Sequence, residues 1–169
     1  QIKLSQTTTK EAKMLHPAPD EHTPSRARMA GKVIIASGAG SVGDGWGNGK
    51  AAAFVYGKEG GKVLCVDYRL EAAEETVNLI KRAGGEASAI RCDVSDESDV
   101  VSMIATCIER YGQVDVLHNN VGGQGTGRAL NTITVEDWNA TFSRNITSAM
   151  LTSREVAKHM ESKNGGAII

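Results

Sequence analysis

A doubly wound α/β fold, in which a parallel sheet carries helices on both faces, is predicted by three features of this 169-residue sequence. Short apolar runs alternate with longer helix-like stretches from Lys32 onward. The connections between them are short, which makes the strands parallel and the crossovers right-handed. The apolar runs are continuous and do not alternate with polar residues, as expected of strands covered on both sides.

The elements follow in order. Lys32-Val-Ile-Ile-Ala36 is the first strand and ends in glycines. An Ala-rich helix runs from about Gly49 to Glu59 and is closed by Gly60-Gly61. Lys62-Val-Leu-Cys-Val66 is the second strand, ending on Asp67. Leu70, Val77, Leu79 and Ile80 mark a helix from Leu70 to Ala83, stopped by Gly84-Gly85. Ala87 to Cys92 is the third strand, ending on Asp93. Ser95 is the expected N-cap of a helix reaching Tyr111, with Glu97 and Asp99 in its first turn. Val114 to His118 is the fourth strand, and Asn119-Asn120-Val121-Gly122-Gly123 follows it. One long helix is expected from about Thr134 to Ser162, and a fifth strand from Ala167.

One domain with an extension results: a disordered N-terminal extension over 1–28 and an incomplete doubly wound α/β domain over 29–169. Pro17, Pro19 and Pro24 break any element in the first part, and Met29 is a candidate natural start. A domain seldom ends partway into an apolar strand, so Gly165-Gly166-Ala167-Ile168-Ile169 is read as the edge of a fragment.

Composition narrows the function. Nineteen Lys and Arg against twenty Asp and Glu leave a net charge of −1, which gives no support to a nucleic-acid or acidic-membrane binder. The apolar runs are far too short to span a bilayer. Cys65, Cys92 and Cys107 form no C-x-x-C pair and lie in apolar runs. Buried free thiols in a reducing compartment, the cytoplasm, are the expectation. No ligand-spaced set of His, Cys and carboxylates points to a metal.

In a doubly wound sheet ligands bind beyond the carboxyl ends of the strands, near the switch point. The first such end, Ser37 to Gly49, holds six glycines, with Gly38, Gly40 and Gly43 as a literal G-x-G-x-x-G. Glycine there lets the backbone approach a pyrophosphate, and the following helix start offers unpaired N–H groups; a flexible surface loop is the bland alternative. Asp67 can accept both hydroxyls of an adenosine ribose and would repel a 2′-phosphate. It could equally begin a turn, and Arg69 nearby could greet a phosphate. Asp93 is placed to meet an adenine amino group. His118 reads as a satisfied core histidine, and His159 suits a helix C-terminus.

With these residues in place, residues 30–169 resemble the first two-thirds of the short-chain dehydrogenase/reductase family. That family opens on T-G-x-x-x-G-x-G, whose last glycine lies about fourteen residues before a Lys-Val strand, the separation of Gly49 from Val63. The motif therefore resembles Ser37-Gly38 joined to Gly47-Asn48-Gly49. Gly38 and Gly47 are nine positions apart where the family has four, an insertion of the GWGNGKA type. Trp46 in that insertion is expected to pack against the sheet edge. Asp93-Val94 resembles the adenine-contacting pair, and Asn119-Asn120-Val121-Gly122 resembles N-N-A-G. Asn145 resembles the mid-helix Asn that kinks its helix and serves the proton relay.

The resemblance implies a Rossmann fold and hydride transfer between a nicotinamide and a secondary alcohol or ketone. It implies NAD, with NADP disfavoured by Asp67, held by Gly38, Ser41, Gly47, Asn48, Gly49, Asp67, Asp93, Val94, Asn120, Val121 and Gly122. Asn145 is the one catalytic residue it carries over. The family's Ser and Tyr-x-x-x-Lys have no match: positions four after Tyr56, Tyr68 and Tyr111 hold Gly60, Ala72 and Asp115. The chain as written is thus expected to bind cofactor and lack activity, with Gly123 to Ala129 offering one substrate wall. Subunit pairing through about Thr141 to Met160 is implied for the full-length form. A non-catalytic nucleotide-binding or scaffolding protein is the alternative; a methyltransferase fits Asn119–Gly122 and Asp93-Val94 poorly.

Overall fold

The computed structural model describes residues 24–43, 45–163 and 165–169. Most of the expected N-terminal extension, residues 1–23, lies outside the described residues. Its last part, 24–28, runs against the body of the domain: the N–H groups of Arg26 and Arg28 donate to Glu59 Oε2 at 3.1 and 3.2 Å.

Five parallel strands, β1 (Val33–Ser37), β2 (Lys62–Asp67), β3 (Glu86–Arg91), β4 (Val116–Asn119) and β5 (Ala167–Ile168), stand in the order β3-β2-β1-β4-β5. The helices are α1 (Asn48–Lys58), α2 (Leu70–Arg82), α3 (Glu97–Tyr111), α4 (Val135–Phe142) and α5 (Ser148–Ser162).

Every residue of β1 is buried, because β1 is central and its two faces feed two cores. Val33 and Ile35 join Leu64, Val66, Val100, Met103, Leu117 and Val156 on the α3/α5 side. Ile34 and Ala36 join Val63, Cys65, Phe54, Val77 and Ile80 on the α1/α2 side. Period-2 side-chain alternation thus splits one apolar run between two helix layers. All three cysteines are free and buried. No helix among the described residues is long and apolar enough to cross a membrane.

Two local expectations need correction. Asp96, and not Ser95, caps α3: its carboxylate accepts the Asp99 N–H at 3.0 Å. Ser95 is already used, donating its N–H and hydroxyl to Asp93 Oδ1 at 3.0 and 2.6 Å. The long helix is also not one helix. A π-helical turn, Ser143–Thr147, separates α4 from α5. Such a turn inserts one residue and re-aims the side chains within it.

Candidate functional site

A cleft of about 880 Å³ opens at the carboxyl ends of β1 to β4, where the strand order reverses between β1 and β4. Its first wall is the glycine loop. Gly38 leaves β1 with φ +70°, and a Cβ there would stand 3.1 Å from the Asn120 carbonyl and the Val121 nitrogen. Gly49, buried in the first turn of α1, is tighter: a Cβ would fall 2.0 Å from the Gly38 carbonyl oxygen and 2.5 Å from Asn120 Nδ2. Gly43 has nothing within 4 Å. The third glycine of the literal G-x-G-x-x-G therefore packs on nothing, while Gly38, Gly40, Gly47 and Gly49 all stand close to neighbouring atoms.

Gly47 is the N-cap of α1. Its N–H donates to Ser41 Oγ at 2.8 Å, and that hydroxyl donates to the Gly45 carbonyl at 3.1 Å. α1 opens with no side-chain cap and no acidic residue in its first turn. Its positive dipole end, at Gly47 and Asn48, thus borders the cleft without a protein side chain to cap it.

The acid ending β2 is held by backbone. Asp67 Oδ2 accepts the Gly40 N–H at 2.9 Å and Oδ1 accepts the Arg69 N–H at 3.0 Å. A Cβ on Gly40 would meet Ala72 Cβ at 2.5 Å, so glycine is needed for this approach. The Arg69 guanidinium is engaged by the Ser41 carbonyl. At the end of β3, Asp93 faces Ser95 through Oδ1, and Val94 is buried beside it.

Beyond β4, Asn119 anchors α5: Oδ1 accepts from Thr152 Oγ1 at 2.7 Å and Nδ2 donates to Ser153 Oγ at 3.3 Å. Asn120 Nδ2 donates to the Gly38 carbonyl at 3.3 Å, joining β4 to the glycine loop. Asn145 sits in the π turn. Its Oδ1 accepts the Gly123 N–H at 2.9 Å and its Nδ2 donates to the Thr141 carbonyl at 2.8 Å.

Gly38, Ser41, Gly47, Asn48, Asp67, Asp93, Val94, Asn120, Val121 and Gly122 all line this one cleft. Gly49 is packed behind it, and Asn145 backs its wall, with Oδ1 3.0 Å from where a Cβ on Gly122 would stand. Gly122 is the last residue of this segment in the lining, and Gly123 to Ala129 continue beyond it. Ser143, Arg144 and Ser148 also line it; they arrive by way of the π turn, which lies at Asn145, where the family resemblance placed a helix kink. Trp46 packs edge-to-face on Phe54 of α1, with centroids 5.3 Å apart, and lies against the core cluster that this face of the sheet shares with α1 and α2.

Cys92 lines the cleft, but burial pushes its thiol up to about 12, so it is no nucleophile at neutral pH. The Tyr56 hydroxyl and His118 Nδ1 are 3.0 Å apart, and burial lowers the imidazole pKa. His159 Nε2 accepts the Val114 N–H at 3.3 Å. No group of three or more His, Cys, Asp or Glu among the described residues could hold a metal.

The short chain dehydrogenase family model matches residues 33–169. The 7alpha-hydroxysteroid dehydrogenase of Escherichia coli K12 is 34% identical over 142 residues, covering 84% of this chain and 52% of its own length. A solved 7alpha-hydroxysteroid dehydrogenase, complexed with NADH and 7-oxo glycochenodeoxycholic acid, superposes with TM-score 0.76 at 33% identity, covering 84% of this chain and 53% of that one. A putative short-chain dehydrogenase/reductase from Burkholderia xenovorans reaches TM-score 0.79 at 38% identity, with 83% and 56% covered. A metagenomic short-chain oxidoreductase in complex with NADP gives 0.76 at 28%, with 83% and 61% covered. The chain spans about half the length of the curated relatives it matches. With the switch-point cleft, the packed glycines and the Asn-rich end of β4, these likenesses show that the chain belongs to the short-chain dehydrogenase family of oxidoreductases.

Proposed function

We propose that this chain forms the NAD-binding part of an oxidoreductase acting on a secondary alcohol or ketone. The observation that carries the reading is the convergence of an uncapped α1, a glycine cradle that a Cβ would fill, and the carboxylate of Asp67 on one cleft. The donor set suits a dinucleotide. Asp67 takes the adenosine ribose hydroxyls on its free lone pairs, Val94 supports the adenine, and Asp93 turns its second oxygen to the amino group. Gly47 and Asn48 present backbone N–H groups to the diphosphate. Asn120, Val121 and Gly122 flank the nicotinamide half, and Asn145, holding Gly123, fixes that wall. When bound, the nicotinamide supplies the hydride acceptor or donor. The family's Ser and Tyr-x-x-x-Lys, which this sequence does not contain, would handle the proton in the whole protein.

NAD is preferred over NADP because Asp67 would face a 2′-phosphate. The Arg69 guanidinium, bonded to the Ser41 carbonyl, also lines the cleft and is the group that would favour NADP. Calorimetric titration of the full-length protein with NAD+ and NADP+ tests this: NAD+ should bind at least about tenfold tighter, the gap narrowing in Asp67→Asn. Heat from neither nucleotide would overturn the dinucleotide reading. Tighter NADP+ binding would overturn the preference alone.

We further propose that subunits pair through the α4–α5 face, supported by exposed Trp138, Phe142, Ile146 and Met150 at successive four-residue steps. Light scattering of the full-length protein should show a dimer or larger, and a Trp138→Glu variant a smaller species.

A further inference from the structure

Lys50 is a buried charge that does not line the cleft. It is the third residue of α1 and only 4% exposed. An ammonium there opposes the positive end of the helix dipole and gives up its hydration, and lysine is seldom fully buried unless paired. Two partners hold it. The Glu75 carboxylate of α2 forms an ion pair with it, and Nζ lies 5.5 Å from the centroid of the Trp46 ring. Trp46 in turn meets Phe54 edge-on.

The significance lies in what Trp46 precedes. Its neighbour Gly47 is the N-cap of α1, and the Gly47 N–H is fixed from the other side by Ser41. Trp46 belongs to the lengthened glycine loop, which spans nine positions from Gly38 to Gly47. A longer loop has more conformational freedom to lose, so the chain entering α1 needs a tether of its own. Lys50 supplies it by linking α2, through Glu75, to the indole just before the helix start.

We infer that Lys50 is a positioning residue for diphosphate recognition: its ammonium, buried between the Trp46 ring and Glu75, holds Trp46-Gly47 so that the first-turn N–H groups of α1 face the diphosphate. This rests on the dinucleotide reading of the cleft. The ligand itself does not touch the ammonium, which is already paired.

Two ligands separate this role from plain stability. ADP-ribose carries the diphosphate and adenosine does not. In titrations of the full-length protein, Lys50→Met should weaken ADP-ribose by about tenfold or more and leave adenosine within about twofold. Lys50→Arg, which keeps a cation able to stack on the indole, should recover most of the ADP-ribose affinity. If Lys50→Met fails to fold, Glu75→Gln decides the matter, since Glu75 is 64% exposed on its side chain and its loss should weaken ADP-ribose selectively by about threefold. Unchanged ADP-ribose binding in the variant that folds, or an equal loss of both ligands, would overturn the inference. Wild-type protein that binds neither ADP-ribose nor NAD+ would instead overturn the reading of the cleft beneath it.

Discussion

The amino-terminal ends of α1 and α3 lie in one domain, yet they are finished in opposite ways. α3 caps itself with the carboxylate of Asp96 and places Glu97 and Asp99 in its first turn. α1 starts on Gly47 with no side-chain cap, no acid and a buried lysine. α4 resembles α3, with Thr134 and Asp137 forming a reciprocal capping box. α2 shares the missing side-chain cap but carries Glu71 in its first turn. Among the described residues, only α1 combines an uncapped start, no first-turn acid and glycines packed too closely for a Cβ, the combination on which the dinucleotide proposal rests.

The sharpest way to break this contrast is to fill the cradle. Gly49→Ala should destabilise the protein by about 3 kcal/mol, because its methyl would sit 2.0 Å from the Gly38 carbonyl oxygen. Gly43→Ala, with nothing within 4 Å, should shift the denaturation midpoint hardly at all. Equal effects at the two glycines would refute the assignment of the packed set.

The self-capped end is the control. Asp96→Ala should cost about 1 kcal/mol in urea unfolding while leaving NAD+ affinity unchanged. A loss of affinity would mean that α3 takes part in the site.

Giving α1 the first-turn acid it lacks should separate stability from binding. Asn48→Asp should stabilise the fold by about 0.3–1 kcal/mol through the helix dipole and at the same time weaken NAD+. If both quantities moved together, the open end would have no bearing on the ligand.

The smallest effect concerns the sheet beneath the cleft. Burial lowers the His118 pKa below its ordinary 6.5, so the unfolded chain takes up the proton more readily than the folded one. Stability from this site is therefore fully present above about pH 6.5 and is lost as pH falls through the lower folded value. Thermal unfolding at pH 7.5 and pH 5.5 should show the decline, and His118→Gln should flatten it.

Particular residues show how much of this was legible in advance. Lys32–Ala36, Lys62–Val66 and the glycine pairs closing the first two helices foretell the strand order of events along the chain, because continuous apolar runs and helix stops are local signals. The strand-end positions Asp67, Asp93 and Asn120 followed directly, since a parallel sheet gathers those ends on one edge. The family resemblance, through the distance it sets from its last motif glycine to the next strand, also pointed to Gly49 over Gly43.

Other features depend on partners far away in sequence. Whether Ser95 or Asp96 caps α3 turned on Asp93, which claims Ser95 first. The π turn exists where Asn145 bonds Gly123, 22 residues away, and this is what brings Ser143, Arg144 and Ser148 to the cleft. Lys50 reads in sequence as an ordinary charged helix residue, and only Glu75 on a neighbouring helix and Trp46 in the loop bury it. The sequence by itself determined the alternation, the parallel sheet and which residues stand at the strand ends, because those rest on periodicity and on residues a few positions apart. Only the tertiary structure decided which polar groups pair across the cleft, because each can satisfy its hydrogen bonds in several ways until packing removes all but one.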